Sequence, residues 1–267
     1  KTTLWIQDVW PDSVYAYGFK RRKVLEYFLD GFVKFIYKNS SNFAVSGKGF
    51  INRVKPYLLS DKDIVYLPNW ADELHNNFKP FVLSEAKKVH FTFAGNIGTV
   101  QNLDNVIKAF NNLSDTYQQI AQLNIIGDGS HLEHLKNLTN NNSIVFWGRQ
   151  PREDMNKYFQ ASDFLIVSLI DKPIFSLTVP AKIQTYIAAS KPIFAVINGD
   201  AADIIKENNL GYCAKPDDIP DIEQAFIKCI KADITKILEF TKNCEHLTNT
   251  TFNKDRIIDS LLELLKR

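Results

Sequence analysis

FTFAGNIGTVQNLDNVIKAF, Phe91 to Phe110, runs from an apolar strand through a pair of glycines into an amphipathic helix. Strand, glycine turn, helix is the opening of a parallel β-α-β unit, and the same order recurs in both directions along the chain. TLWI, NFAVS and DIVYL read as strands around helices in residues 20–38 and 48–59. On the other side, AQLNIIG, SIVFWG, DFLIVSL, KPIFAVI and GYCA alternate with further helices. Strands separated by helices imply right-handed crossovers and parallel sheets covered on both faces, so the fold class is α/β. After Pro220 the sequence is almost wholly helical to Arg267.

A length of 267 residues, 45% of them hydrophobic, suffices for two packed cores. The hinge between them is expected in LPNWADELHNNFKPF, where Pro68, Asn69 and Pro80 interrupt the pattern. The expected units are residues 1–76 and 77–245, with a terminal helix over 246–267 packing back toward the first unit. With 32 basic against 30 acidic residues, no global field marks a nucleic-acid binder. Cys213, Cys229 and Cys244 form no CxxC pair and are odd in number, which points away from a disulfide framework or a cysteine-held structural zinc site and toward a reducing, cytoplasmic setting. No apolar run is long enough to span a bilayer, and the first residues lack the order of a signal peptide. Because Lys1 leads directly into the strand-like TTLWI, a longer parent chain is expected.

In open parallel sheets ligands sit beyond the carboxyl ends of the strands, which directs the search to the loops that follow them. Gly95, Asn96 and Gly98 lie between a strand and a helix, where missing side chains let backbone N–H groups approach a phosphate. The same residues also make an ordinary tight turn. Gly127, Asp128 and Gly129 repeat the arrangement, and again a turn with a helix cap is the plainer reading. Gly148 ends the next strand and is followed by Arg149 and Arg152, which could meet a phosphate or a base or merely cover the surface.

The fourth loop leads into VPAKIQTYIAASKPIFA, residues 179–195. Pro180 suits a first helical position, so the helix is expected to start there with its unpaired N–H groups at the carboxyl edge of the sheet. Lys182 and Thr185 then share a face toward the crevice, while Ile183 and Ile187 pack inward. Lys182 is a candidate phosphate contact and Thr185 a candidate partner for a sugar hydroxyl; a solvated helix face is the alternative.

Other clusters carry less. His131 and His134 are spaced for one helix face but lack a third ligand in sequence, so a surface pair is expected. Walker A, HExxH and nucleophile-elbow motifs are absent. In GFKRRKVLEYFLDGFVKFIYK four basic residues precede a helix whose apolar positions nearly surround it. Such a helix suits an anionic membrane surface, but its all-round apolarity favours packing in the core.

The ordered set FAGNIG, IIGDG, FWGR, DFLIVSL, VPAKIQTYIAASKPIFAV and GDAADIIKENNLGYCAKPDD resembles the donor-binding domain of GT-B glycosyltransferases of the large retaining family 4. WIQDVWPDS and YLPNWAD fit the bacterial fucosamine-transferase-like branch, which builds capsule, O-antigen and exopolysaccharide units. The resemblance covers nearly the whole chain. It implies two Rossmann-like domains, the first entered after its initial strands, so that much of the acceptor side lies outside the sequence.

By that resemblance Gly95, Asn96 and Gly98 line the donor phosphates, and the segment after Gly148 lies against the nucleobase. Leu177, Thr178, Val179, Pro180 and Lys182 wrap the diphosphate and the transferred sugar, with Thr185 beside the ribose. Many members carry two glutamates eight positions apart here, where this chain has Leu177 and Thr185. A threonine makes one hydrogen bond to a ribose but not a charge-assisted bidentate pair. The Arg and Lys that commonly follow the glycine loop are replaced by Asn96 and Asn102 nearby, and Gln7 stands where a histidine often precedes Asp8.

The implied reaction moves a sugar from a nucleotide diphosphate, a UDP-sugar first, to a hydroxyl acceptor with retention. The acceptor is expected to be a saccharide, lipid-linked at the inner face of the plasma membrane. Helix N-termini and Lys182 would stabilise the leaving diphosphate, and Asp8 would orient sugar or acceptor. No cofactor is expected. The Asp61, Lys62, Asp63 string matches a metal-holding motif of other glycosyltransferases but precedes its strand, so a charged turn is expected and no metal is required. A sugar-nucleotide epimerase and a catalytically silent binding module are the alternatives.

Overall fold

A computed structural model describes residues 1–16, 20, 22–58, 63–70, 74, 81–84 and 88–267. The hinge expected at residues 67–81 and the Asp61, Lys62 pair fall largely outside them. The first unit contains β1 (Thr3–Ile6), α1 (Asp12–Ala16), α2 (Lys23–Lys38), β2 (Asn42–Val45), α3 (Ile51–Val54) and β3 (Ile64–Tyr66). Among the described residues its three strands lie in the order β1-β2-β3, all parallel.

The second unit runs β4 (Val89–Ala94), α4 (Leu103–Asn112), α5 (Asp115–Ile120), β5 (Ala121–Ile126), α6 (Leu132–Asn137), β6 (Ile144–Gly148), α7 (Met155–Gln160) and β7 (Phe164–Ser168). It continues with α8 (Ala181–Ala188), β8 (Ile193–Val196), α9 (Asp200–Glu207), β9 (Gly211–Ala214), α10 (Ile219–Ile230), α11 (Ile234–Asn249) and α12 (Lys254–Lys266). Among the described residues its sheet has six parallel strands in the order β6-β5-β4-β7-β8-β9. Chain order therefore reverses between β4 and β7, the switch point at which α/β sheets open a crevice.

Strand alternation builds a core on each face. Leu165 and Val167 of β7, with Ile193 and Ala195 of β8, join one buried cluster; Phe164, Ile166, Phe194 and Val196 join the other. In the second cluster Phe226 of α10 meets Phe91 and Phe194 edge-on at 4.8 and 4.5 Å between ring centroids. Helix α12 crosses to the first sheet, where Ile257 and Leu264 pack with Ala44 and Leu67 and the Asn42 amide donates to the Leu264 carbonyl at 2.8 Å.

Helix α2 departs from the core packing expected of it. Only Val33 and Tyr37 are buried, while Val24, Tyr27, Phe28, Phe32 and Phe35 are exposed, Tyr27 at 79%. Among the described residues, the neighbouring strand and helical turns cover one stripe of the helix, with Tyr37 set edge-on to Phe43 and Tyr57. No helix among the described residues is long and apolar enough to cross a membrane.

Beyond the strand ends the sheet continues as backbone contacts between loops. Gly127 sits at φ +137°, and a Cβ there would lie 1.9 Å from the Gly95 carbonyl oxygen. Gly148, at φ +66°, has open space around it, so only its left-handed backbone resists a side chain. Gly127→Ala is expected to destabilise by on the order of 3 kcal/mol and to lower the melting midpoint by roughly 6–10 °C. Gly148→Asn, which tolerates that backbone region, should cost less than about 1 kcal/mol; equal effects in calorimetric melts would refute the close-approach argument.

Candidate functional site

Three loops at the carboxyl ends of β4, β5 and β6, together with the first turns of α8, enclose an open cleft of about 730 Å³. Of the candidate residues, Gly95, Asn96, Gly127, Asp128, Arg149, Lys182 and Thr185 line it, as does Arg152. Gly98, Gly129, Thr178, Val179, Pro180 and Asp8 are not in its wall. Among the lining residues that sequence reasoning passed over are Gln150, Pro151, Met155, Phe159, Ala181 and Tyr186. Most are apolar or lie in a turn, and only three-dimensional closure of the loops brings them to one place.

Lys182 is held by the packing of its helix. Ile183 and Ile187 are fully buried, and the buried Tyr186 hydroxyl donates to the Ile166 carbonyl of β7 at 3.2 Å. On the outer side, the Thr248 hydroxyl of α11 reaches the Ile187 carbonyl at 3.2 Å. These contacts fix the rotation of α8 so that Lys182 turns into the cleft. The helix starts one residue later than the sequence predicts, with Pro180 as its cap at ψ 136° and the Ile183 N–H donating to the Pro180 carbonyl. Gln184 is buried, and its amide nitrogen donates to the Pro180 and Ala181 carbonyls of the first turn.

The Lys182 ammonium lies 3.6 Å from the centroid of the Phe93 ring. A Cβ on Gly95 would fall 2.7 Å from both Cε and Nζ of Lys182, so the space that this glycine vacates is occupied by the lysine. Part of the lysine surface remains open to the cleft, but the tip is desolvated. Burial pulls its pKa down to about 7, and among the described residues no carboxylate pairs with it. The ring face offsets part of the lost hydration without supplying a counter-charge. An anion arriving in the cleft would supply one.

The glycine loops hold one another in place. Their N–H groups are mostly taken: Gly95 donates to Ile126 O at 2.9 Å, Ile97 to Asp128 O at 2.8 Å and Gly127 to Gly148 O at 2.9 Å. Gly98 donates to the Gln101 side chain at 3.1 Å, and Gly129 to the Asp128 carboxylate at 2.7 Å. A Cβ on Gly129 would lie 2.3 Å from Ile97 O. These glycines let the loops interlock, with Gly95 and Asn96 still in the cleft wall. Asn102, at φ +50°, is buried and donates to the Pro216 carbonyl at 2.8 Å, which ties the start of α4 to the loop before α10.

The Thr185 hydroxyl donates to the Ala181 carbonyl at 3.2 Å, which leaves its lone pairs to accept from a ligand hydroxyl. Thr178 similarly spends its hydroxyl on Ile174 O at 3.0 Å. Leu177 faces the first unit: its Cδ2 would lie 2.8 Å from a Cβ on Gly49, whose N–H donates to Asp200 at 2.5 Å. Burial raises the Asp200 carboxyl, with Asp203 adding to the rise, and the Gly49 N–H and Lys48 oppose it. Asp8 is exposed and accepts from the Val9 N–H at 3.0 Å; it lines a separate cavity of the first unit with Trp10, Phe32 and Tyr37. His131 and His134 do have a third partner: both converge on Asp104, outside the cleft.

A family model described as "Glycosyl transferases group 1" matches residues 75–249. A probable glycosyltransferase of Pseudomonas aeruginosa is 26% identical over 250 residues, covering 89% of this chain and 62% of its own. An uncharacterized glycosyltransferase of Methanocaldococcus jannaschii is 23% identical, covering 91% of this chain and 63% of its own. The chain thus spans somewhat less than two thirds of the length of these relatives. Among solved structures, Anabaena HepE in complex with UDP superposes with a TM-score of 0.72 at 13% identity over 99% of this chain and 71% of its own. WaaG, a glycosyltransferase of lipopolysaccharide biosynthesis, superposes at 0.71 and 14% identity, covering 93% of this chain and 70% of its own. At such identities the superpositions establish the α/β GT-B-like fold and nothing finer.

With a lysine pKa near 7, affinity for an added diphosphate anion is expected to fall as pH rises from 7 to 9, by up to about tenfold per unit, as the ammonium loses its proton. Lys182→Met should abolish that slope. Gly95→Ala should weaken binding by displacing the lysine tip, and with Lys182→Met already present should weaken it little further. Fully additive losses in a calorimetric double-mutant cycle would contradict the shared-space geometry.

Proposed function

The chain belongs to the group 1 glycosyl transferase family, and from that premise we propose that it transfers a sugar from a nucleoside diphosphate sugar, a UDP-sugar first, to a hydroxyl acceptor with retention at the anomeric carbon. The observation that carries the reading is the desolvated Lys182 ammonium, unpaired with any described carboxylate and aimed into a cleft at the switch edge of the sheet. A diphosphate is the ligand that compensates such a charge, and as the glycosidic bond breaks, negative charge grows on that same group. An interaction that strengthens as charge develops lowers the barrier as well as binding the donor.

Arg149 and Arg152 at the far wall suit the nucleobase end or the α-phosphate, and Thr185 accepts from a ribose hydroxyl. Asp8 belongs to the acceptor side and would act when the first unit presents the acceptor hydroxyl to the anomeric carbon. The bond to the diphosphate oxygen breaks, a bond to the acceptor oxygen forms on the same face, and the proton of the acceptor hydroxyl passes to the departing diphosphate oxygen. No metal or other cofactor enters this scheme. The exposed aromatic face of α2, with Lys23, Lys34 and Lys38 on the same helix, favours an acceptor carried on a lipid at a membrane surface, which co-sedimentation with anionic vesicles tests. Capsule, O-antigen or exopolysaccharide assembly is the setting that such an acceptor implies.

Calorimetric titration with UDP, GDP and ADP is the first test. Selective UDP binding, weakened at least tenfold in Lys182→Met while the variant melts no lower than the parent, is expected. Binding of all three with equal affinity, or unchanged UDP binding in the variant, would remove the reading. Incubation of UDP-sugars with lipid-linked saccharides then separates the classes. Transfer with a retained anomeric configuration supports a retaining transferase, interconversion of free UDP-sugar an epimerase, and binding without turnover a silent module, the outcome that Leu177 and Thr185 would explain.

A further inference from the structure

Away from the cleft, three ligating side chains from two helices meet at one point. Asp104 lies in the first turn of α4; His131 caps α6 and His134 follows it on the same helix. The His131 Nε2 is 2.7 Å from Asp104 Oδ2, and the His134 Nε2 is 2.6 Å from Oδ1. The imidazoles stack with centroids 4.4 Å apart and planes 25° from parallel. All three ligating atoms lie within 4.8 Å of one another.

We propose that Asp104, His131 and His134 form a binding site for a divalent transition metal, zinc foremost, that clamps α4 to α6. Two imidazole nitrogens and one carboxylate oxygen are a borderline donor set, suited to zinc and cobalt and unsuited to calcium or magnesium, which take oxygen ligands. Around a tetrahedral ion with bonds near 2.0 Å, neighbouring ligand atoms sit about 3.3 Å apart. Each imidazole now bonds a different carboxylate oxygen, so the two His–Asp spacings need to open by about 0.6 Å and the imidazole nitrogens, within 4.8 Å of each other, need to settle at the same separation; His134, with a side chain 55% exposed, has the freedom to make that adjustment. Asp104 and His131, at 25% and 18%, give the site a sheltered base, and the exposed side provides the route of entry.

The position says what the ion would do. The His131 N–H donates to Ile97 O at 3.0 Å, and the Ile97 N–H donates to Asp128 O at 2.8 Å. Asp128 and Asn96 stand in the cleft wall, so the cluster sits directly behind the interlocked loops without reaching the cleft itself. The role is that of a structural clamp. The inference does not rest on the proposed transferase activity, and it stands or falls with metal binding alone.

The test uses the whole chain, freed of metal with a chelator and titrated with zinc and, separately, with cobalt. One equivalent is expected to bind, to give the visible absorption of tetrahedral cobalt, and to raise the melting midpoint. His134→Ala, at a largely exposed position where misfolding is not at issue, should weaken binding at least tenfold, and Asp104→Asn should abolish the thermal shift. Zinc binding of unchanged strength in both variants would place the metal elsewhere and overturn the proposal, as would the absence of stoichiometric binding by the parent.

Discussion

Backbone amides and carbonyls at the ends of β4, β5 and β6 extend the sheet past its strands, and the cleft depends on that extension. Gly95 and Gly127 donate to the last carbonyls of β5 and β6 and Ile97 to a carbonyl of the next loop, and the approach is so close that a Cβ on Gly127 would overlap Gly95 O. Buried amides need acceptors, and these loops find them in one another. The result is a rigid floor. Because Gly95 carries no side chain, the tip of Lys182 settles above that floor and against Phe93.

Electrostatics then gives the floor a function. A cation without a described carboxylate partner, in a site shaped by backbone, is poorly solvated when empty and well matched when an anion arrives. The cost of desolvating Lys182 is met in the folding of the second unit, whose two aromatic and aliphatic cores surround the sheet. Sites of this kind trade stability for recognition. The Asp128 carboxylate, tied to the Gly129 N–H, stays in the wall without neutralising the lysine.

Much of this was legible in the sequence, because strand and helix periodicities differ and the glycine turns fall between them. The strands of both sheets, the parallel topology and the sharing of a face by Lys182 and Thr185 follow from local pattern. What local pattern cannot show is where chains cross. For the glycines at 95, 127 and 129 the sequence leaves turn and phosphate contact both open, because it reports the missing side chain and not the atom that fills its place. Asp104 lies far from His131 in the chain, so the cluster needed the contact of α4 with α6 to appear. Helix α2 misled for a third reason: an all-round apolar helix is normally buried, and sequence does not reveal how many of its faces find a partner. The Leu177 contact with Gly49 was likewise invisible, since it joins the two units.

The measurement that bears most directly on this account is the titration of the Lys182 ε-carbon by NMR, with and without UDP, assigned by comparison with Lys182→Arg. The account predicts a midpoint near pH 7 in the free protein, displaced upward by at least one unit when UDP is bound. A midpoint near 10.5 in both states would mean that the ammonium is solvated and indifferent to the ligand, and the donor site would have to be sought elsewhere in the fold.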